Sequence, residues 1–308
     1  LYLVGESYGT TRAAGLAGYL VDRGIAFNGV LLISTILNFQ TALFANGNDL
    51  PFQLMLPSYT ATAWYHKKLP ADLQRKPLRE VLTEAERWAT NDYNVALAKG
   101  DRLTGAERQK VVDQMARLTG LSKTFIEQNH LRVELNKFNK ELIRDQKRST
   151  GRLDSRFTGI DARPAGDSPD FDPSMTAIRP PYTAAFNQYV RSELGYKNDA
   201  TYYILGGGFT APWNMNAENT YADTSVALRS AFNKNPFMKL FVAYGYYDMA
   251  TPYFAAEYTL DHMNLDASHK ANIKHAYYEA GHMMYIDVKS LAGLKKDVAA
   301  FLQFAQTK

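Results

Sequence analysis

The sequence predicts an α/β protein whose mostly parallel sheet is interrupted by a mainly helical insertion. Three observations predict it. Residues 1–36 read as strand, helix and strand; residues 51–148 are charged and helical in rhythm; from residue 182 onward, apolar runs alternate with helical ones again. Strand, helix and strand in so short a stretch form a βαβ unit with parallel strands. The chain then divides into a first core segment (1–50), a helical cap insertion ending in an Asp-, Gly- and Pro-rich loop (51–181), and a second core segment (182–308).

Each element follows from its own pattern. Residues 1–4 are apolar and bounded by Gly5, as a buried strand would be. Residues 10–22 are rich in Ala and Leu and stop at Arg23-Gly24, which fits a helix and its end. Residues 30–36 are an apolar, β-branched run and form the second strand. In the insertion, Thr83 with Glu86 and Thr104 with Glu107 both fit the capping box that opens a helix. Val111, Val112, Met115 and Leu118 follow the second box at helical spacing, and a further helix is expected over 122–144. Residues 149–181 read as a long loop. That loop holds Asp154, Asp161, Asp167, Asp170 and Asp172, but without the spacing of a calcium loop. Salt bridges and loop polarity are expected there, and no metal. Helices are expected over 183–194, 222–233, 252–263 and 291–305, and strands over 237–244 and 273–278. The run Gly206-Gly207-Gly208 lacks the spacing of a phosphate-binding loop and reads as a turn.

Composition excludes several classes. The 308 residues contain no Cys, so disulfides, thiol catalysis and Cys-ligated zinc are ruled out. The net charge is only +4. Its basic excess lies in residues 67–148, where 18 basic and 12 acidic residues alternate too finely to make a single-sign stripe for nucleic acid. No apolar run reaches the ~18 residues of a membrane span. No Asn-x-Ser/Thr acceptor is present, which points away from a glycosylated secretory protein. No cofactor-binding motif stands out. The chain opens inside a strand expected to lie in a core, and a core strand needs neighbours on both sides. The expectation is that further residues precede Leu1.

The motif that carries chemistry is Gly5-Glu6-Ser7-Tyr8-Gly9. It fits G-x-S-x-G, a sharp turn from strand to helix that holds a serine in a strained conformation with its hydroxyl exposed. Side chains at the Gly5 and Gly9 positions are expected to collide with the neighbouring strand and helix. The backbone N–H of Tyr8 would then face a developing oxyanion. The alternative is an ordinary turn between strand and helix.

On such an α/β-hydrolase scaffold the acid and the histidine follow the serine in that order, on loops after late strands. Of six His, only His282 follows an expected strand in a Gly-containing loop and precedes the last helix. His66 and His130 lie in the insertion, His262 and His269 in or near a helix, and His275 within a strand. Asp248 sits just past the strand over 237–244 and before Pro252, where the triad acid belongs; a helix-capping role is its alternative. Asp223, Glu257 and Asp261 fall in helices and fit less well. In this assignment Ser7 is the nucleophile, His282 the general base and Asp248 the residue that orients it.

The elbow with Glu6 at its second position, Asp248 in a Tyr-Asp-x-x-x-Pro loop, and Ala280-Gly281-His282-Met283 together resemble the serine carboxypeptidase family. The resemblance runs through both core segments and is nearest to bacterial members, to which Gly151-Arg152-Leu153-Asp154-Ser155-Arg156-Phe157-Thr158-Gly159 is also similar. It implies a hydrolase that removes residues from free peptide C-termini, exported to the periplasm or beyond. It further implies that Glu6 helps bind the substrate's terminal carboxylate, that Tyr8 and Met283 lie near the substrate, and that residues 51–181 cap the site. Two adjacent carboxylates repel, so Glu6 would act protonated and peptides would be favoured at acidic pH. Glu6 could instead be a buried structural carboxylate. The family's second oxyanion donor and its Asn partner for Glu6 would lie upstream of Leu1. An esterase or acyltransferase on the same scaffold, or a non-catalytic binding protein, are the other readings.

Overall fold

The computed structural model describes residues 1–205, 214–215 and 217–306; the Gly206-Gly207-Gly208 run lies outside them. The apolar runs become strands β1 (Tyr2–Glu6), β2 (Gly29–Ile33), β5 (Lys239–Gly245) and β6 (Ile273–Tyr278), with a two-residue pair, β3 (Ser149–Thr150) and β4 (Thr158–Gly159), between them. The four longer strands form one parallel sheet in the order β1-β2-β5-β6. Gly5 pairs in register with Leu32, and Leu32 with Val242. The protein is thus a mixed α/β chain with a parallel central sheet.

Successive side chains of a strand point to opposite faces, and the two central strands, β2 and β5, are apolar and buried on both, whereas the edge strands β1 and β6 are partly exposed. Val30, Leu32, Leu240, Val242 and Tyr244 pack with Ala13, Ala14 and Ala17 of helix α1 (Tyr8–Val21). The same core includes Leu228 and Phe232 of α10 (Ser225–Lys234). Leu31, Phe241 and Ala243, on the opposite face, pack with Leu294 and Phe301 of α13 (Val288–Phe304). Helices α1 and α10 meet at Gly18, where a Cβ would lie 2.5 Å from the Ala227 carbonyl.

The chain between β2 and β5 builds a second apolar core. The helices of that core are α2 (Leu50–Tyr65), α3 (Ala71–Gln74), α4 (Leu78–Trp88), α5 (Asn94–Lys99), α6 (Gly105–Thr119), α7 (Lys123–Gln128) and α8 (Leu135–Glu141), and α9 (Pro173–Gln188) follows outside it. Helix α2 is buried along its whole length from Pro51 to Ala63 and sits between the insertion and α11 (Tyr253–Asp261). A short helix, α12 (Ala267–Lys270), precedes β6.

Three expectations for this region need correction. The capping box at Thr104 is formed, but Thr83 lies inside α4, which already starts after Pro77; the Thr83 hydroxyl donates to the Arg79 carbonyl instead. The helix over 122–144 is broken, because His130 (φ 52°) and Leu131 (φ 65°) are left-handed and no α-helix continues through two such residues. Burial of Leu131 and Val133 in the insertion core is what that break achieves. The loop over 149–181 ends early. Asp172 accepts from the Ser174 N–H (2.9 Å) and starts α9 at Pro173, and the helix runs through Pro180 and Pro181.

The loop aspartates serve as anchors. Asp161 forms a fully buried ion pair with Lys140 of α8 and accepts from the Asp170 N–H (3.0 Å). Lys140 also donates to the Arg163 carbonyl (2.8 Å), so this one ammonium holds the loop against α8. Among the described residues no group of His, Cys, Asp or Glu is arranged to hold a metal ion. Among them, too, no helix is long and apolar enough to cross a membrane.

Candidate active site

Strand β1 ends at Glu6 and α1 starts at Tyr8, so Ser7 occupies the whole connection between them. Its backbone is left-handed (φ 55°, ψ −127°), a conformation that costs a non-glycine residue ~1–3 kcal/mol. The Ser7 N–H donates to the Ile33 carbonyl (2.9 Å), and the Ser7 carbonyl accepts from Thr10, which fixes the turn on both sides. Gly5 is required here: a Cβ on it would lie 2.5 Å from the Gly9 carbonyl carbon. Gly9 is not what the motif predicts. Among the described residues a Cβ on Gly9 would meet nothing within 4 Å. The close approach runs from the strand to the helix backbone, so only the strand glycine relieves it. Tyr8 supplies the first backbone N–H of α1, beside Ser7.

The acid and the base come from the C-terminal ends of β5 and β6. Asp248 is fully buried, and His282 nearly so. His282 Nδ1 donates to Asp248 Oδ2 at 2.8 Å. Asp248 Oδ1 accepts from the N–H groups of Ala250 (2.7 Å) and Thr251 (2.9 Å), and Thr251 Oγ1 donates to Oδ2 (2.7 Å). Asp248 therefore orders its own turn and also holds the imidazole; it does not cap α11, whose N-cap is Pro252. With Nδ1 turned to the acid, Nε2 is left as the basic nitrogen. Burial works against a charged imidazole, but the charge and hydrogen bond of Asp248 outweigh it. The His282 pKa is raised above its ordinary value, with Glu6 adding to the rise.

Ser7 and His282 line the same cavity, of about 570 Å³, together with Glu6, Tyr8, Met283 and Tyr285. Asp248 stays behind His282, out of the cavity. Among the described residues no hydrogen bond joins the Ser7 hydroxyl to His282; such contacts often tighten only when substrate binds. Every residue expected at the site, apart from the structural glycines and Asp248, thus lines this one cavity.

Comparisons of the chain with protein-family models, curated proteins and solved structures return no match.

Three residues of the site went unnoticed in the sequence. The Tyr285 hydroxyl donates to both carboxylate oxygens of Glu6 (2.8 and 3.1 Å). Burial, then the Glu6 charge, raise the Tyr285 pKa, so the phenol remains a donor. The partner of Glu6 was expected upstream of Leu1; one is present 279 residues downstream. Ser34 Oγ donates to the His282 carbonyl (2.6 Å), and Thr251 sits within 3.2 Å of His282 Nδ1. Tyr285 had one available signal, its position three residues after the histidine. Ser34 and Thr251 had none.

Proposed function

We propose that this protein is a serine-type hydrolase with an α/β-hydrolase fold, related to serine carboxypeptidases, that removes residues from free peptide C-termini. The segment up to residue 50 and the segment from α10 onward form its core, and α2 to α9 its cap; the expected boundary at residue 181 falls inside α9 and moves past its end. The observation that carries the reading is the buried Asp248–His282 pair beside Ser7 on its left-handed turn, with the cavity in front. In this reading His282 Nε2 takes the Ser7 proton as Oγ attacks the scissile carbonyl, and Asp248 stabilises the imidazolium. The tetrahedral oxyanion lies against the Tyr8 N–H at the start of α1, where the helix dipole favours negative charge. His282 then passes its proton to the leaving amine. Water, activated by the same imidazole, frees the acyl group and regenerates Ser7. Glu6, steadied by Tyr285, is the group that meets the substrate's terminal carboxylate, and their contact needs a proton between them.

Peptides with free and blocked C-termini test the substrate class. Turnover confined to free C-termini supports the carboxypeptidase; equal turnover of both, or of esters alone, moves the reading to an esterase or acyltransferase.

The pH behaviour follows from two groups with separable effects. His282 must be neutral to act as a base. Its raised pKa means that turnover of every substrate is full at high pH and drains as pH falls through a midpoint above the ordinary imidazole value. This loss is common to peptides and esters, so it cancels in the ratio of their kcat/KM values. The ratio of peptide to ester kcat/KM is expected to rise on acidification in the wild type and to be flat in Glu6→Gln, whose amide needs no added proton to donate. A ratio that still rises in Glu6→Gln removes Glu6 from carboxylate recognition.

A further inference from the structure

Residues 152–156 of the insertion are hydrogen-bonded to both the acid loop and the base loop. We propose that residues 152–156 are a clamp that sets the relative position of the acid and base loops, with Asp154 and Arg156 as its positioning residues. The inference rests on the Ser7–His282–Asp248 reading for its kinetic consequence, not for its geometry.

The clamp brackets Asp248 on both sides. The Arg152 carbonyl accepts from the N–H of Met249 (3.0 Å), and the Ser155 N–H donates to the carbonyl of Tyr247 (3.0 Å). It also brackets His282. The Leu153 carbonyl accepts from the N–H of His282 itself (2.7 Å), and Arg156 Nη1 donates to the Glu279 carbonyl (2.9 Å). Between these points the clamp touches Gly281 so closely that a Cβ there would lie 2.6 Å from the Leu153 carbonyl oxygen. Two loops from different strands are therefore tied to one short segment by four hydrogen bonds, one of them on the base itself.

The segment is itself held rigid. Asp154 is buried, and Arg156 folds back on it through Nε (3.0 Å) and Nη2 (2.7 Å) while its guanidinium lies over the Tyr247 ring. The N–H groups of Arg152 and Leu153 donate to Asp172, the cap of α9 (3.0 and 3.3 Å). Ser155 meets Thr62 (2.7 Å) and His66 (2.7 Å) of the α2 region. A catalytic group must be held to ~0.5 Å, and a misplacement of ~1 Å costs ~10²-fold in rate. The Asp154–Arg156 pair is the element of the clamp whose loss loosens both loops at once. Arg156, unlike Arg152 and Leu153, does not line the catalytic cavity, so its loss removes no direct substrate contact.

The test compares wild type, Arg156→Met, Arg156→Lys and Asp154→Asn as full chains. Three quantities are read: kcat and KM on an ester, the rate of labelling by a fluorophosphonate, and the downfield proton resonance of the His282 Nδ1–H bond. Arg156→Met is expected to lower kcat and labelling about 10- to 100-fold with KM within about twofold, and to broaden or erase the downfield resonance. Arg156→Lys should recover part of each loss. Asp154→Asn, nearly isosteric and still able to accept from the Arg156 N–H, should give the same pattern more mildly. An unchanged kcat and resonance in Arg156→Met overturns the proposal. So does a loss of rate that merely follows the folded fraction while the resonance stays sharp. If the wild type takes no fluorophosphonate label, the hydrolase reading fails, and the resonance still decides whether the clamp sets the Asp248–His282 geometry.

Discussion

Ser7→Ala is expected to abolish fluorophosphonate labelling and to lower turnover about 10⁴- to 10⁶-fold, the range lost when a triad nucleophile is removed. The fold should survive it. The bonds that fix the turn run through the Ser7 backbone, to Ile33 and Thr10, and alanine keeps them. Asp248→Asn should approach the same loss by another route, about 10⁴-fold. An asparagine amide at the Oδ2 position donates to His282 Nδ1, which moves the ring proton to Nε2 and leaves no base facing Ser7. Labelling followed by intact mass, with circular dichroism on each variant, measures both effects. Labelling that persists in Ser7→Ala refutes the assignment of the nucleophile, and wild-type turnover in Asp248→Asn refutes that of the acid.

Lys140→Ala is expected to be the most destabilising single change outside the site. Lys140 and Asp161 are both almost wholly buried and paired with each other. Removing one partner of such a pair leaves an uncompensated buried charge and costs ~3–5 kcal/mol. Burial would raise the Asp161 carboxyl, but Lys140 outweighs it and holds it below the usual carboxylate range. The contribution of the pair is therefore full above the unfolded value of ~3.9 and drains as pH falls through the lower folded value. Urea denaturation at neutral pH checks the loss, and Lys140→Ala together with Asp161→Ala should recover part of it. A single variant within ~1 kcal/mol of wild type would show that water or another group replaces the ammonium.

Much of the architecture was legible because its signals are local. The apolar runs at 1–4, 30–36, 237–244 and 273–278 became the four parallel strands to within a few residues. Thr104 and Glu107 lie on adjacent turns, so their mutual capping can be read from spacing alone. Thr83 shows where that logic fails. The same spacing occurs, but Pro77 starts the helix a turn and a half earlier and leaves Thr83 in its middle. The helix expected over 122–144 failed for a related reason. Nothing in Asn129-His130-Leu131 forbids helix, and the left-handed break follows from where Leu131 and Val133 have to be buried.

The candidate site divides along the same line. Gly5, Ser7, Asp248 and His282 each carry a short-range signature: a glycine before a serine at a strand end, an aspartate after a strand, a histidine in a glycine loop. The sequence by itself determined the α/β alternation and this set of candidates. Only the tertiary structure decided that Asp248 meets His282 at 2.8 Å and that Glu6 is held by Tyr285. It also decided that a five-residue stretch of the insertion spans both loops. The reason is physical. A turn or a cap is fixed by residues within four positions of one another, whereas these contacts join residues 34 to 279 positions apart. Their partners are chosen by how the strands stack and by which loops the stacking brings together, and no local pattern encodes that choice.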